Sequence, residues 1–162
     1  DQAPDLLITN GDNGDLLNTP IKPYHGVRIH LNDGKGNFGE GKFFAQPGAY
    51  RAVARDFDGD GDLDIVSLAY FADYKRSPES ALLYLRQDGP MKFTRLSLPG
   101  ATAGRWITMD AGDVDGDGDD DVVLASLNMG PGVKHIPTEL RRQWGRQEVP
   151  VMILRNRSKT GE

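Results

Sequence analysis

The chain has 162 residues, the length of one ordinary domain, with 38% apolar residues and no cysteine. That composition supplies a core and excludes disulfide scaffolds, thiolate metal sites and cysteine nucleophiles, while no apolar run nears the roughly 20 residues that span a bilayer. A net charge of −5 argues against a nucleic-acid partner, and 19 of the 24 acidic residues are Asp, which favours turns and loops over helices.

Taken in chain order, the apolar pattern predicts short strands. The first run covers residues 6–8 and the next covers 27–31. Asn32-Asp33-Gly34-Lys35-Gly36-Asn37 then carries the Asp-Gly and Gly-x-Gly signals of a hairpin turn, leading into a strand at 42–44. Strands at 50–54 and 65–70 flank a first acidic loop, and strands at 81–85 and 93–98 follow. Strands at 106–109 and 122–127 flank a second acidic loop. A long connection, 128–148, precedes the last strand at 151–154. The near-continuous apolar runs after each acidic loop suit strands buried on both faces.

The charge is clustered. Asp56–Asp64 holds five Asp and Asp113–Asp121 holds six; outside these segments 13 acidic residues face 19 Lys and Arg, so the remaining body carries +6. The two loops are copies at an offset of 57 residues, and Asp5-Leu6-Leu7-Ile8 matches the end of the unit at an offset of 59. Four strands per repeat is the arithmetic of a β-propeller blade, with a β-sandwich as the alternative. The expected fold class is therefore all-β: a propeller segment of about three four-stranded antiparallel blades, the first and last incomplete. The expected divisions are 1–49, lacking its innermost strand, 50–104, complete, and 105–162, lacking its outer strand. Because it opens on Asp1-Gln2-Ala3-Pro4-Asp5 with neither a starting Met nor a signal peptide, the chain is expected to be processed or part of something longer. Unfinished end blades imply partners: the remaining blades of a longer chain, or partner chains that complete the ring.

Each loop reads Asp-x-Asp-x-Asp-Gly-x-x-Asp. Side chains at positions 1, 3 and 5 converge, Gly at 6 permits the sharp turn, position 7 offers a carbonyl, and Asp at 9 closes an all-oxygen shell of the kind Ca²⁺ takes. Two Ca²⁺ sites are expected: Asp56, Asp58, Asp60, the carbonyl of Asp62, and Asp64; then Asp113, Asp115, Asp117, the carbonyl of Asp119, and Asp121. Asp120 lies outside the ligand positions and is expected to be simply exposed. The alternative is an acidic solvated turn without metal. An EF-hand fails, because its twelfth position is Ser67 or Leu124 and strands replace its helices. In the first copy only Asp1 and Asp5 persist and Gln2 replaces Gly, so no intact site is expected there.

Arg55-Asp56-Phe57-Asp58-Gly59-Asp60-Gly61-Asp62-Leu63-Asp64-Ile65-Val66 resembles the FG-GAP/VCBS repeat, the blade unit of integrin-α-type propellers. Leu31-Asn32-Asp33-Gly34-Lys35-Gly36-Asn37-Phe38 resembles that family's link between third and fourth strands. The resemblance implies Ca²⁺ in the hairpin between the first two strands and an extracellular, cell-surface or periplasmic setting.

The long connection is basic and aromatic, and blade geometry puts it on the face opposite the acidic loops. Lys134, His135, Arg141, Arg142, Trp144 and Arg146 form the expected ligand surface, for a glycan or protein ligand, with a solvated loop as the alternative; Pro137 and Glu139 could open a short helix. The expected function is a non-catalytic module for binding, adhesion or scaffolding. The alternatives are an accessory part of a larger secreted enzyme or receptor and, more weakly, a hydrolase or lyase working from the loop face.

Overall fold

A computed structural model describes residues 3–16 and 18–158, so the expectations for Asp1, Gln2 and residues 159–162 lie outside the described residues. Among the described residues, ten strands form three antiparallel sheets. Sheet one orders β1 (Leu6–Asn10), β2 (Gly26–His30) and β3 (Lys42–Ala45). Sheet two orders β4 (Ala49–Arg55), β5 (Asp64–Ala69), β6 (Leu82–Gln87) and β7 (Phe93–Ser97). Sheet three orders β8 (Trp106–Gly112), β9 (Asp121–Ser126) and β10 (Val151–Leu154). Every neighbour within a sheet is its neighbour in sequence, as expected of up-and-down blades. The fold is all-β with three, four and three strands, consistent with incomplete propeller blades.

The repeat is visible in irregularities as well as strands. Register shifts between Ala49 and Arg51 on β4, and again between Trp106 and Thr108 on β8, at the 57-residue offset. Both bulges precede an Asp loop and increase local twist, aiming the two hairpins alike.

Burial follows position in the stack. All six residues of β5 are buried, because its sheet has a neighbour on each face. Between sheets one and two pack Leu7, Ile29, Phe44, Ile65, Leu85 and Phe93. Between sheets two and three pack Phe57, Val66, Leu68, Leu82, Trp106, Met109 and Leu124, with Met152 and Leu154 at the margin. The outer faces are open. Alternation that sends Leu7 inward leaves Leu6 and Ile8 each 41% exposed, and on β10 it leaves Val151 and Ile153 at 54% and 43%. The expectation of strands buried on both faces thus holds fully for β5 and only half for β1.

The long connection is ordered. A single-turn 3₁₀ segment, Val133–His135, leads to helix α1 (Thr138–Gln147), with Pro137 at its N-cap. Trp144 faces inward, edge-on to Tyr74 with ring centroids 5.4 Å apart, in a cluster with Ala69, Ala72, Ala81 and Ile136.

Candidate metal centres

The β4–β5 and β8–β9 hairpins each carry one acidic loop on the same edge of the molecule. In the first loop one carboxylate oxygen each from Asp56, Asp58 and Asp60 lies within 4.8 Å of the others, and Asp113, Asp115 and Asp117 repeat the arrangement. The loop backbone enforces this convergence. Asp56 accepts the Gly59 amide at 2.8 Å and the Gly61 amide at 3.1 Å; Asp113 accepts Gly116 and Gly118 at 2.6 and 3.1 Å. Gly59, Gly61, Gly116 and Gly118 have φ between 77° and 94°, backbone that residues with a Cβ rarely adopt.

The clusters fit a hard cation in donor type, being all carboxylate and solvent-facing. The electrostatics of the first loop fit it as well. Desolvation, then the charge of Asp64, and lesser repulsion from Asp60 and Asp56 push the Asp58 carboxyl above its ordinary range. A raised carboxyl pKa means stability that is present at low pH and drains away as pH rises through that pKa. A divalent cation would cancel the repulsion and offset the cost of desolvation.

The ninth-position aspartates do something the spacing did not reveal. Asp64 is fully buried; one oxygen accepts the Phe57 amide at 3.2 Å and the Tyr84 hydroxyl at 2.6 Å, the other the Gln87 amide at 2.8 Å. Burial, and then this bond to Asp64, hold the Tyr84 phenol above its usual range. Asp121, also fully buried, accepts the Val114 amide at 3.1 Å and the Asn156 amide at 2.8 Å. Asp5, where the loop is degraded, still accepts the Asn32 amide at 2.8 Å. In sheets two and three this aspartate pins the exit of the third strand to the start of the second, and Asp5 likewise ties the exit of β2 to the start of β1. Its survival at Asp5, where Gln2 stands at the Gly position of the loop, was the sequence signal for that role.

Asp62 is half-buried and its amide donates to Asp60 at 2.8 Å, while Asp119 is buried, its amide donating to Asp117 at 3.1 Å and its carboxylate accepting Ser158 Oγ at 3.3 Å. Asp120 corrects the expectation of a simply exposed residue: it is half-buried and pairs with Arg55 at 3.3 Å, bridging the two hairpins. Asp115 pairs with Arg155 at 3.2 Å.

The expected ligand surface divides. Lys134, Arg142 and Arg146 are exposed and His135 is half-buried. Arg141, also exposed, turns back on its own helix, donating to the Ile136 carbonyl and Thr138 Oγ1 at 3.2 and 3.1 Å. Trp144 leaves the surface altogether: it is 2% exposed and its indole N–H donates to the Thr102 carbonyl at 2.8 Å. Its burial gains apolar contact that an exposed position would forfeit.

Consecutive antiparallel sheets built from a repeated hairpin unit, two of them carrying an Asp-rich loop, define a β-propeller-type repeat protein suited to binding or scaffolding. The chain belongs to the FG-GAP-like repeat family, whose model matches residues 1–67 and 56–124. No curated protein and no solved structure matches it. Among the described residues, no helix is long and apolar enough to cross a membrane.

Proposed function

We propose that the chain is a Ca²⁺-stabilised, non-catalytic propeller segment acting as a binding, adhesion or scaffolding module outside the cytoplasm. The observation that carries this reading is the pair of matching carboxylate triads, Asp56/Asp58/Asp60 and Asp113/Asp115/Asp117, set at equivalent places in two repeats. Asp64 and Asp121 would complete each shell from below with lone pairs not taken by their amide donors, and the carbonyls of Asp62 and Asp119 would contribute from the rim. A bound cation supplies the charge that lets these hairpins stay closed; the chain's own amides orient the carboxylates. The extracytoplasmic setting is supported by the family, whose repeats are typical of extracellular or surface proteins. The open outer faces of β1 and β10 would dock further blades, from a longer chain or from partner chains.

Calorimetric scans test the reading. Chelator lowers the melting temperature and millimolar Ca²⁺ restores it, since a ligand held only by the folded state stabilises it by mass action. Asp58→Ala and Asp115→Ala each remove one site in titration calorimetry, whereas Asp120→Ala leaves the stoichiometry at two. An unshifted scan would sink the cation reading.

A further inference from the structure

On the face opposite the aspartate loops, connections from all three sheets meet around a cleft of about 270 Å³. Arg105 lines it. This residue is 1% exposed, and among the described residues no carboxylate pairs with it. Its Nε donates to the Tyr70 carbonyl at 3.3 Å, Nη1 to Met129 at 2.8 Å and Nη2 to Pro131 at 2.6 Å. The Tyr70 ring lies 3.7 Å from the guanidinium carbon. Three bonds hold the cation in place and leave one N–H on each terminal nitrogen, the number a carboxylate takes in a two-point pair.

Tyr74 lines the same cleft and supplies an independent sign. It is 6% exposed, and its hydroxyl has no hydrogen-bond partner among the described residues. Buried polar groups are almost always paired, so an orphaned hydroxyl beside an uncompensated buried cation marks a place where an acceptor belongs. Burial holds the Tyr74 phenol above its usual range, which keeps it a donor, and burial pulls the Arg105 guanidinium down, a penalty that an anion would relieve.

The geometry points to this cleft as a binding site for a small monocarboxylate. Arg105 takes the carboxylate, Tyr74 donates to one of its oxygens, and Phe71 and Ile136 line the space for a short carbon body. Asp73 also lines the cleft, which disfavours a dianion such as sulfate or hydrogen phosphate. The volume, about nine times that of a water in the liquid, suits fewer than about ten non-hydrogen atoms. The site does not rest on the cation reading, because the aspartate loops contribute nothing to its walls.

Titration of the full chain with acetate and benzoate, at ionic strength held constant with chloride, tests the assignment by calorimetry and by NMR of the Arg105 side chain and the Tyr74 ring. Saturable one-to-one binding at about millimolar strength is expected for at least one of them. Tyr74→Phe weakens it at least fivefold while the melting temperature stays level or rises, since the lost hydroxyl had no partner. Arg105→Lys weakens it at least tenfold; if that variant does not fold, Tyr74→Phe alone decides. Absence of saturable shifts with both acids, unchanged affinity in Tyr74→Phe, or equal competition by sulfate overturns the proposal.

Discussion

A single aspartate position shows how one residue serves two ends. Asp64 sits at the base of a carboxylate triad and at the same time receives Phe57, Tyr84 and Gln87. Removing it strands buried donors whether or not a cation is present. Asp64→Ala is therefore expected to cost about 3 kcal/mol even in chelator, and to abolish the first cation site as well. Asp5, which keeps the Asn32 contact where Gln2 replaces the loop's Gly, separates the roles. Asp5→Ala costs about 1 kcal/mol in chemical denaturation and leaves cation stoichiometry unchanged. A stoichiometry change in that variant would show that the first copy still takes metal. Alternation and spacing made the ligand candidates legible, because side-chain direction in a tight loop follows from the residue count. The partners of the staple were not legible, since the donors at Gln87 and Asn156 lie 23 and 35 residues downstream.

Among the elements, α1 is the one whose meaning changed most. Ten residues make a marginal helix in water, so its stability has to come from what it packs against. Trp144 supplies that contact, through Tyr74 and the Thr102 carbonyl. Trp144→Ala is expected to cost about 3–5 kcal/mol, whereas Arg142→Ala combined with Arg146→Ala leaves the melting temperature within a degree or two. Equal losses in both variants would return the tryptophan to the surface. In sequence, a Trp among arginines reads as a recognition surface because its apolar partners lie on a connection some seventy residues upstream. Arg105 failed to stand out for the mirrored reason: flanked by Gly104 and Trp106, it resembles any solvated arginine at a strand entrance. The strands themselves were read nearly to the residue, as period and turn chemistry are local. Their main errors were short ends, such as β8 running on to Gly112.

For the molecule as a whole, the outer faces set the behaviour in solution. Leu6 and Ile8 on one side, and Val151 and Ile153 on the other, present apolar side chains at the places where the internal sheets bury theirs. Beside them, among the described residues, β10 ends its sheet with an unpaired edge. Sedimentation of this chain is expected to show concentration-dependent association, which Val151→Glu with Ile153→Glu suppresses. A sharply monodisperse species at all concentrations would mean that these faces need no cover.

Asn156 joins parts of the chain that are remote in sequence. Its side-chain amide donates to the Phe57 carbonyl, 99 residues away, at 2.6 Å, and also to the Asp120 carbonyl at 3.3 Å. Each sheet, by contrast, is closed by hairpins between consecutive strands. Closing a short loop costs little chain entropy and closing one of nearly a hundred residues costs more, so the time order of folding is written into this difference. Hairpins are expected to zip first within each sheet and the sheets to dock afterwards, with the Asn156 bridge among the last contacts made. Native-state amide exchange checks this: protection is expected to be lost at the seam between sheets two and three at lower denaturant than within either sheet, and simultaneous loss would contradict it.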